Sequence, residues 1–255
     1  MNVRKGFYGF LIVWEAIGLV LTLTIGVPAS LAWSGGIYLM LMAVVAYEIL
    51  VMTIGKHGAR ILTLFIGLFG FSIEVIGVHT GVPFGRYGYH DQLGPLLFQV
   101  PIAMAFAWIT VIVIGFSLTP KKIPRLYRIL IGTAITTSID FLLDPVAANI
   151  LHDWTWHFTK ELSFYGIGWQ NFAAWFVLSA FLQSVLTLFP TRQNAYRRGL
   201  FLFGSLYLLF AIIALVHALV IPMVIPLCLV AINLYFKAKE RFTHVDTNAK
   251  VGAFS

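Results

Sequence analysis

Charge is scarce in this 255-residue chain: Asp, Glu, Lys and Arg together make up 11% of it, against 60% hydrophobic residues. With a mean hydropathy of +0.90, that shortage excludes a soluble globular domain. Cysteine is almost absent. Cys228 stands alone, so no internal disulfide can form and no cysteine-based metal site is supported. No Gly-Lys-Ser/Thr follows the glycines between Gly77 and Gly94, which excludes a phosphate-binding loop there. Low-complexity segments and internal repeats are also missing, so neither a linker-rich nor a solenoid architecture fits.

What the chain has instead is a series of long apolar runs, at about 7–26, 35–54, 61–78, 96–118, 129–150, 166–189, 199–217 and 219–236. A hydrocarbon core of about 30 Å takes roughly 20 apolar residues in a helix. In lipid only helices and closed barrels satisfy their own backbone. Continuous runs rich in Leu, Ile, Phe and Ala favour helices. The expected fold is all-α: a polytopic membrane bundle of about eight transmembrane helices, forming one domain over residues 1–255 with a short polar tail at 237–255. Pro222 and Pro226 argue for a break near the last run. The first run is too long for a cleaved signal and lacks a small-residue cleavage site, so it reads as a retained span.

The net charge of +7 resembles a nucleic-acid signature, but its distribution gives another explanation. Every Lys and Arg except Arg86 and Lys160 falls at the N-terminus, in alternate loops or in the tail. This is the positive-inside pattern. It places both termini in the cytoplasm, puts the protein in the cell membrane and implies no nucleic-acid partner.

The acids behave differently. Glu15, Glu48, Glu74, Asp140 and Asp144 fall inside the runs, whereas no Lys or Arg does. A charge at the bilayer centre costs roughly 2.5–3.5 kcal/mol on insertion scales, and acids at such depth mark functional sites. Without basic partners they are expected to be protonated or held by hydrogen bonds. A neutral carboxylic acid in an apolar cavity is a potential proton donor. Asp140 and Asp144 are four apart and share a helix face, which Thr133 and Thr137 continue. Pro145 disfavours helical geometry at Asp144, so the helix is expected to kink or end there. For Glu15 and Glu48 the expectation is ordinary helix-packing hydrogen bonds.

Two outer loops flank these acids. One is GVHTGVPFGRYGYHDQLGPLLFQVP, Gly77 to Pro101; the other begins at Leu151 with LHDWTWHF and leads into GIGWQNFAAWF. Together they gather His79, His90, His152, His157, Tyr87, Tyr89, Trp154, Trp156, Trp169, Gln170 and Asn171 on one face. Most of the Trp and Tyr residues suit an interfacial belt, and the histidines lack the helical spacing of a metal site. These features permit a lipid-modifying enzyme, a proton-coupled transporter or a binding protein, and do not choose among them.

The blocks EVIGVHTGVPFGRYGY from Glu74, DFLLDP from Asp140 with Trp154-Thr-Trp after it, and GIGWQNFAAWF resemble the carotenoid biosynthesis membrane family, which includes hydratases of acyclic carotenoid ends. The likeness is strongest from Glu74 to Trp175. It implies an enzyme of the hydro-lyase type, needing no cofactor and no metal, that adds water to the terminal double bond of a ψ-end carotenoid lying in the bilayer. Other enzymes of carotenoid synthesis are the implied neighbours. It also implies Asp144, Asp140 and Glu74 as catalytic, and His79, Tyr87, Trp154, Trp169 and Asn171 as substrate-binding. A carotenoid end-group cyclase or isomerase would share the protonation step. A prenyl-elongating enzyme fits less well, because its Asp-x-x-x-Asp motifs would face the cytoplasm. A proton-coupled transporter remains the alternative from another class.

Overall fold

The structure, a computed structural model, describes residues 3–157, 163–193 and 195–235. The polar tail expected at 237–255 lies outside the described residues. Within them eight α-helices follow one another: α1 Val3–Thr24, α2 Trp33–Ile54, α3 Lys56–Thr80, α4 Ala103–Leu118, α5 Arg125–Val146, α6 Trp169–Leu186, α7 Tyr196–Val216 and α8 Val220–Tyr235. Five are long and apolar enough to cross a membrane, those containing α1, α2, α3, α5 and α7. α4 and α8 are shorter apolar helices. α6 carries Gln170, Asn171 and Gln183, which dilute its apolar character.

α4 is the central post. It packs against α2, α3, α5, α6 and α7 and is buried over most of its length. A helix buried on all sides is apolar all round, as α4 is. The expected run at 96–118 is therefore two elements. Leu96–Leu97 (β2) and Val100–Pro101 (β3) form a hairpin, with Phe98 and Gln99 both at positive φ. Two positive-φ residues are what a tight hairpin connection requires, and they keep the chain from joining α4.

The basic loops share one end of the bundle. Arg192 N–H donates to the carbonyl of Thr53 at 2.6 Å. Arg125 reaches Thr187 and the Ser184 carbonyl, each at 3.2 Å. Asn233 reaches the Leu118 carbonyl at 2.9 Å. Glu48 lies here too, and unlike the expectation it has a basic neighbour: Arg198, in the first turn of α7, stands 3.8 Å away. The Tyr8 hydroxyl also donates to Glu48, at 3.1 Å.

The opposite end carries a cap. Tyr87–Tyr89 (β1) pairs antiparallel with Trp154–Trp156 (β4), joining the two loops that flank the acids. A second small hairpin pairs Ser163–Phe164 (β5) with Ile167–Gly168 (β6). Gln170, at the start of α6, donates to the Pro83 carbonyl at 2.8 Å and ties α6 to the first loop. Of the kink or end expected at Asp144, the structure has no end there: α5 runs on to Val146. Pro145 lies inside it, and the chain widens into a π-helical turn over Ala147–Leu151 before His152 reverses it in left-handed geometry.

Helix contact inside the bundle depends on a small residue. A Cβ on Gly115 of α4 would overlap Thr136 Oγ1 and the Gly132 carbonyl of α5, and would lie 2.8 Å from Gln183 Nε2 of α6. Gln183 uses that amide to reach the Ile112 carbonyl at 2.9 Å. Close small-residue crossings with buried polar links are the usual adhesive between membrane helices. Gly115→Ala is expected to destabilise the fold by about 1–3 kcal/mol, the scale of overpacking. Gly204→Ala, where nothing lies within 4 Å of the added carbon, should be near neutral. Thermal unfolding of both variants in detergent checks the contrast.

Candidate active site

A cavity opens beneath the cap, with room for water-sized occupants totalling about 200 Å³. Its walls come from α1, α2, α3, α4, α5, α6, α7 and the cap strands β1 and β4. Glu74, Asp140, Asp144 and Asn171 all line it and all are buried. The helices bring them together from three sequence blocks.

Glu74 projects from α3 into a cage of donors. The Tyr87 hydroxyl donates to its Oε2 at 2.5 Å and the Tyr89 hydroxyl to the same oxygen at 2.8 Å. Trp108 Nε1 donates to its Oε1 at 2.9 Å. Three hydrogen bonds converge on the two oxygens, a pattern that can hold a carboxylate without a cation. The tyrosines remain donors, because burial and then the neighbouring Glu74 push both phenols up. The cage depends on another glycine. Gly70 is one helical turn before Glu74, and a Cβ there would overlap the Trp108 side chain, so Gly70 lets the indole lie close enough to reach the carboxylate.

The α5 acids are held differently. One nitrogen, Asn171 Nδ2, donates to Asp144 Oδ2 at 2.5 Å and to Asp140 Oδ2 at 3.1 Å. Both acids are within electrostatic range of Glu74, and no cation balances them among the described residues. Two like charges side by side in a dry site disfavour one another. The site therefore divides into two acids on α5 that share one amide donor and an acid on α3 held by three hydrogen bonds. Thr133 and Thr137 are buried on the same helix, with hydroxyls that meet no side-chain or backbone partner among the described residues.

Aromatic faces enclose the acids. Trp108 and Trp175 stack at 4.1 Å with an interplanar angle of 8°. Tyr87 lies 4.8 Å from Trp156, and Tyr89 meets Trp154 edge-on at 5.6 Å. Tyr87, Trp154 and Asn171, expected at the site, line the cavity. His79 and Trp169, also expected there, do not. His79 is exposed, with Nδ1 2.9 Å from the carbonyl of Val75. Trp169 is half exposed and packs on Phe141, Phe164 and Phe172 outside the cavity. Each sits near the end of its helix, on the turn's outward side. His90, His152 and His157 are exposed as well.

Five contributors escaped the sequence reading. Tyr89 was recognisable, since residues two apart on a strand share a face and Tyr87 was already implicated. Trp108 and Trp175 sit in apolar helices, where nothing in the pattern separates a cavity wall from packing. Asp153 looked like a loop acid but is buried in the cavity wall. Glu15, expected only to pack, lines the cavity too, and Ser205 of α7 donates to its Oε2.

Burial alone pushes the Asp153 carboxyl up to about 7. A raised value means the folded chain favours the protonated form. Its contribution to stability is complete below the ordinary value near 4 and is lost as pH rises to about 7. The expected result is a fall in thermal midpoint between those limits that Asp153→Asn removes. Melting curves of both proteins across that range check it, and equal slopes would contradict it.

The family described as carotenoid biosynthesis protein matches residues 35–236. Bisanhydrobacterioruberin hydratase of Haloarcula japonica is 30% identical over 139 residues, covering 52% of this chain and 46% of that protein. The chain thus matches less than half the length of that curated relative. No solved structure matches.

Proposed function

We propose that this chain, which belongs to the carotenoid biosynthesis protein family, hydrates the terminal double bond of an acyclic carotenoid to a tertiary alcohol. The observation that carries this reading is the division of acids in one aromatic-walled cavity. Asp140 and Asp144 both accept from the Asn171 amide, while Glu74 accepts from three donors.

An alkene is a weak base, so its protonation needs a positioned acid kept from water until use. In the proposed sequence Asp144 or Asp140 gives its proton to the less substituted carbon. The alkene's π pair forms the new C–H bond and leaves a tertiary cation. Trp175, Trp154 and Tyr87 present ring faces or edges to the cavity, and aromatic faces stabilise cations. Water then attacks, forming the C–O bond. Glu74 takes the proton that the attacking water loses, and the proton returns through the site to the α5 pair. No redox change occurs, and the residues named supply each step without a cofactor.

A long apolar substrate has to reach this cavity from lipid. α1 suits that passage, because Ile12, Val13, Ile17 and Val20 are exposed on it while Trp14, Glu15 and Gly18 line the cavity. The same proposal includes a multi-pass single domain in the cell membrane, with eight helices and both termini on the basic, cytoplasmic side.

The test is a pigment profile. The chain is expressed in a bacterium that accumulates lycopene or another acyclic carotenoid, and extracted pigment is analysed by mass spectrometry with and without heavy-oxygen water. The expected product is heavier by one water and carries the heavy oxygen. An isomer of unchanged mass would replace this reading with the cyclase or isomerase. Untouched pigment beside correctly inserted protein would remove it and leave vesicle transport to be measured.

A further inference from the structure

We infer that Asp153 and Trp154 form a water-holding subsite at the capped end of the cavity, which supplies the molecule that attacks the cation. This rests on the hydration reading above. Both residues line the cavity, with only 7% and 9% of their surface exposed. Among the described residues, no group donates to the Asp153 carboxyl, and Trp154 Nε1 donates to none. A buried polar atom left without a partner costs about 1–3 kcal/mol, and nearly all such atoms are satisfied by protein or by water. Trp154 Nε1 is such an atom, a donor, and the Asp153 carboxyl that lines the same cavity is an acceptor. A water molecule or a hydroxyl group can satisfy both, whereas a hydrocarbon chain can satisfy neither.

The backbone fixes the pair in place. Asp153 N–H donates to the Ala147 carbonyl at 2.9 Å, and the Asp153 carbonyl accepts from His90 N–H at 2.9 Å. The corner is therefore tied to the π turn on one side and to the first cap loop on the other. His90 and His152 are exposed beside it, so water can arrive from the aqueous surface without crossing lipid. On the inner side, Trp154 packs on Tyr89, whose hydroxyl donates to Glu74. The subsite is thus one side chain away from the carboxylate assigned to take the proton of the attacking water.

This separates two steps that the acids alone would leave fused. The α5 pair protonates the alkene, and the Asp153–Trp154 subsite provides for the cation to be trapped as alcohol. An untrapped cation loses a proton and returns to alkene. In heavy water that reversal leaves deuterium in recovered substrate.

The experiment compares the full-length parent with Asp153→Leu, Trp154→Phe and Asp153→Asn in membranes suspended in heavy water, supplied with lycopene or whichever acyclic carotenoid the parent hydrates. Both alcohol and deuterium in unreacted substrate are measured. The expected result is that Asp153→Leu and Trp154→Phe each lower the ratio of alcohol to exchanged substrate about tenfold, the scale of one lost hydrogen bond. Asp153→Asn, still able to hold water, recovers a substantial part of the ratio relative to leucine. Alcohol and exchange falling together would show a merely structural role and overturn the inference, as would a ratio that none of the variants changes. A parent that forms no alcohol at all overturns the hydration reading, and this subsite with it.

Discussion

Asp144→Asn is expected to abolish alcohol formation, by about 10²–10⁴-fold, the usual contribution of a positioned acid or base, while the protein still inserts and purifies normally. Asparagine keeps the size of the side chain and offers an oxygen to Asn171 Nδ2, which now donates to Asp144 at 2.5 Å. Folding should therefore change little. What disappears is a proton that can be given to carbon, because an amide is not an acid at any working pH. Asp140 shares the same amide donor at 3.1 Å, so Asp140→Asn decides how the pair divides its labour. A larger loss at position 144 assigns the donation to Asp144; the reverse order assigns it to Asp140. Full activity in the Asp144→Asn variant would sink the first assignment, and full activity in both would remove the pair from the mechanism. The measurement is product per inserted protein, with heavy-oxygen incorporation as the count of true turnovers.

Glu74→Gln should do more than remove a base. A carboxylate offers lone pairs on both oxygens, and here Oε2 accepts from Tyr87 and Tyr89 while Oε1 accepts from Trp108. An amide has one oxygen and one nitrogen that donates. If the oxygen faces the tyrosines, the NH₂ group meets the Trp108 N–H; if it turns, the NH₂ group meets two hydroxyls. Either way a buried donor loses its acceptor, at a cost of about 1–3 kcal/mol. Glu74→Gln is expected to lower the thermal midpoint as well as abolish alcohol formation. Trp108→Phe also removes one hydrogen bond but leaves the carboxylate, so it should keep measurable turnover. Thermal unfolding in detergent beside the pigment assay separates the two effects. A glutamine variant of unchanged stability and activity would mean that the cage does not hold an anion.

The bundle was legible because its apolar runs are long and its basic residues cluster in alternate loops. The acids on α5 were legible for a related reason: Asp140, Asp144, Thr133 and Thr137 repeat with the helical period, and polar groups on one face of a lipid-bound helix must look inward. Asn171 and Tyr87 came from the family likeness. Run lengths did not predict how far α4 is withdrawn from lipid, because a buried helix and a lipid-facing one are equally apolar. Residues 96–101 were assigned to a helix for the same reason, and only two positive-φ positions make them a hairpin. Side-chain direction at helix ends was the main loss. His79 and Trp169 lie beside the right residues in sequence but turn outward, whereas Asp153 turns inward because the π turn before it rotates the chain. No local pattern announces that rotation.

The acids and their partners also have an order of arrival. Glu74 meets Tyr87 and Tyr89 within the next few turns of chain, and Trp108 comes with the next helix. Asp140 and Asp144, in contrast, wait for Asn171, which follows only after the whole second cap loop. While the chain is being made, the α3 half of the centre can close on its own, but the α5 half stays unpartnered until α6 has entered the membrane. A nascent chain stalled before that point would hold two unsatisfied acids at bilayer depth, the kind of defect that membrane quality control can recognise.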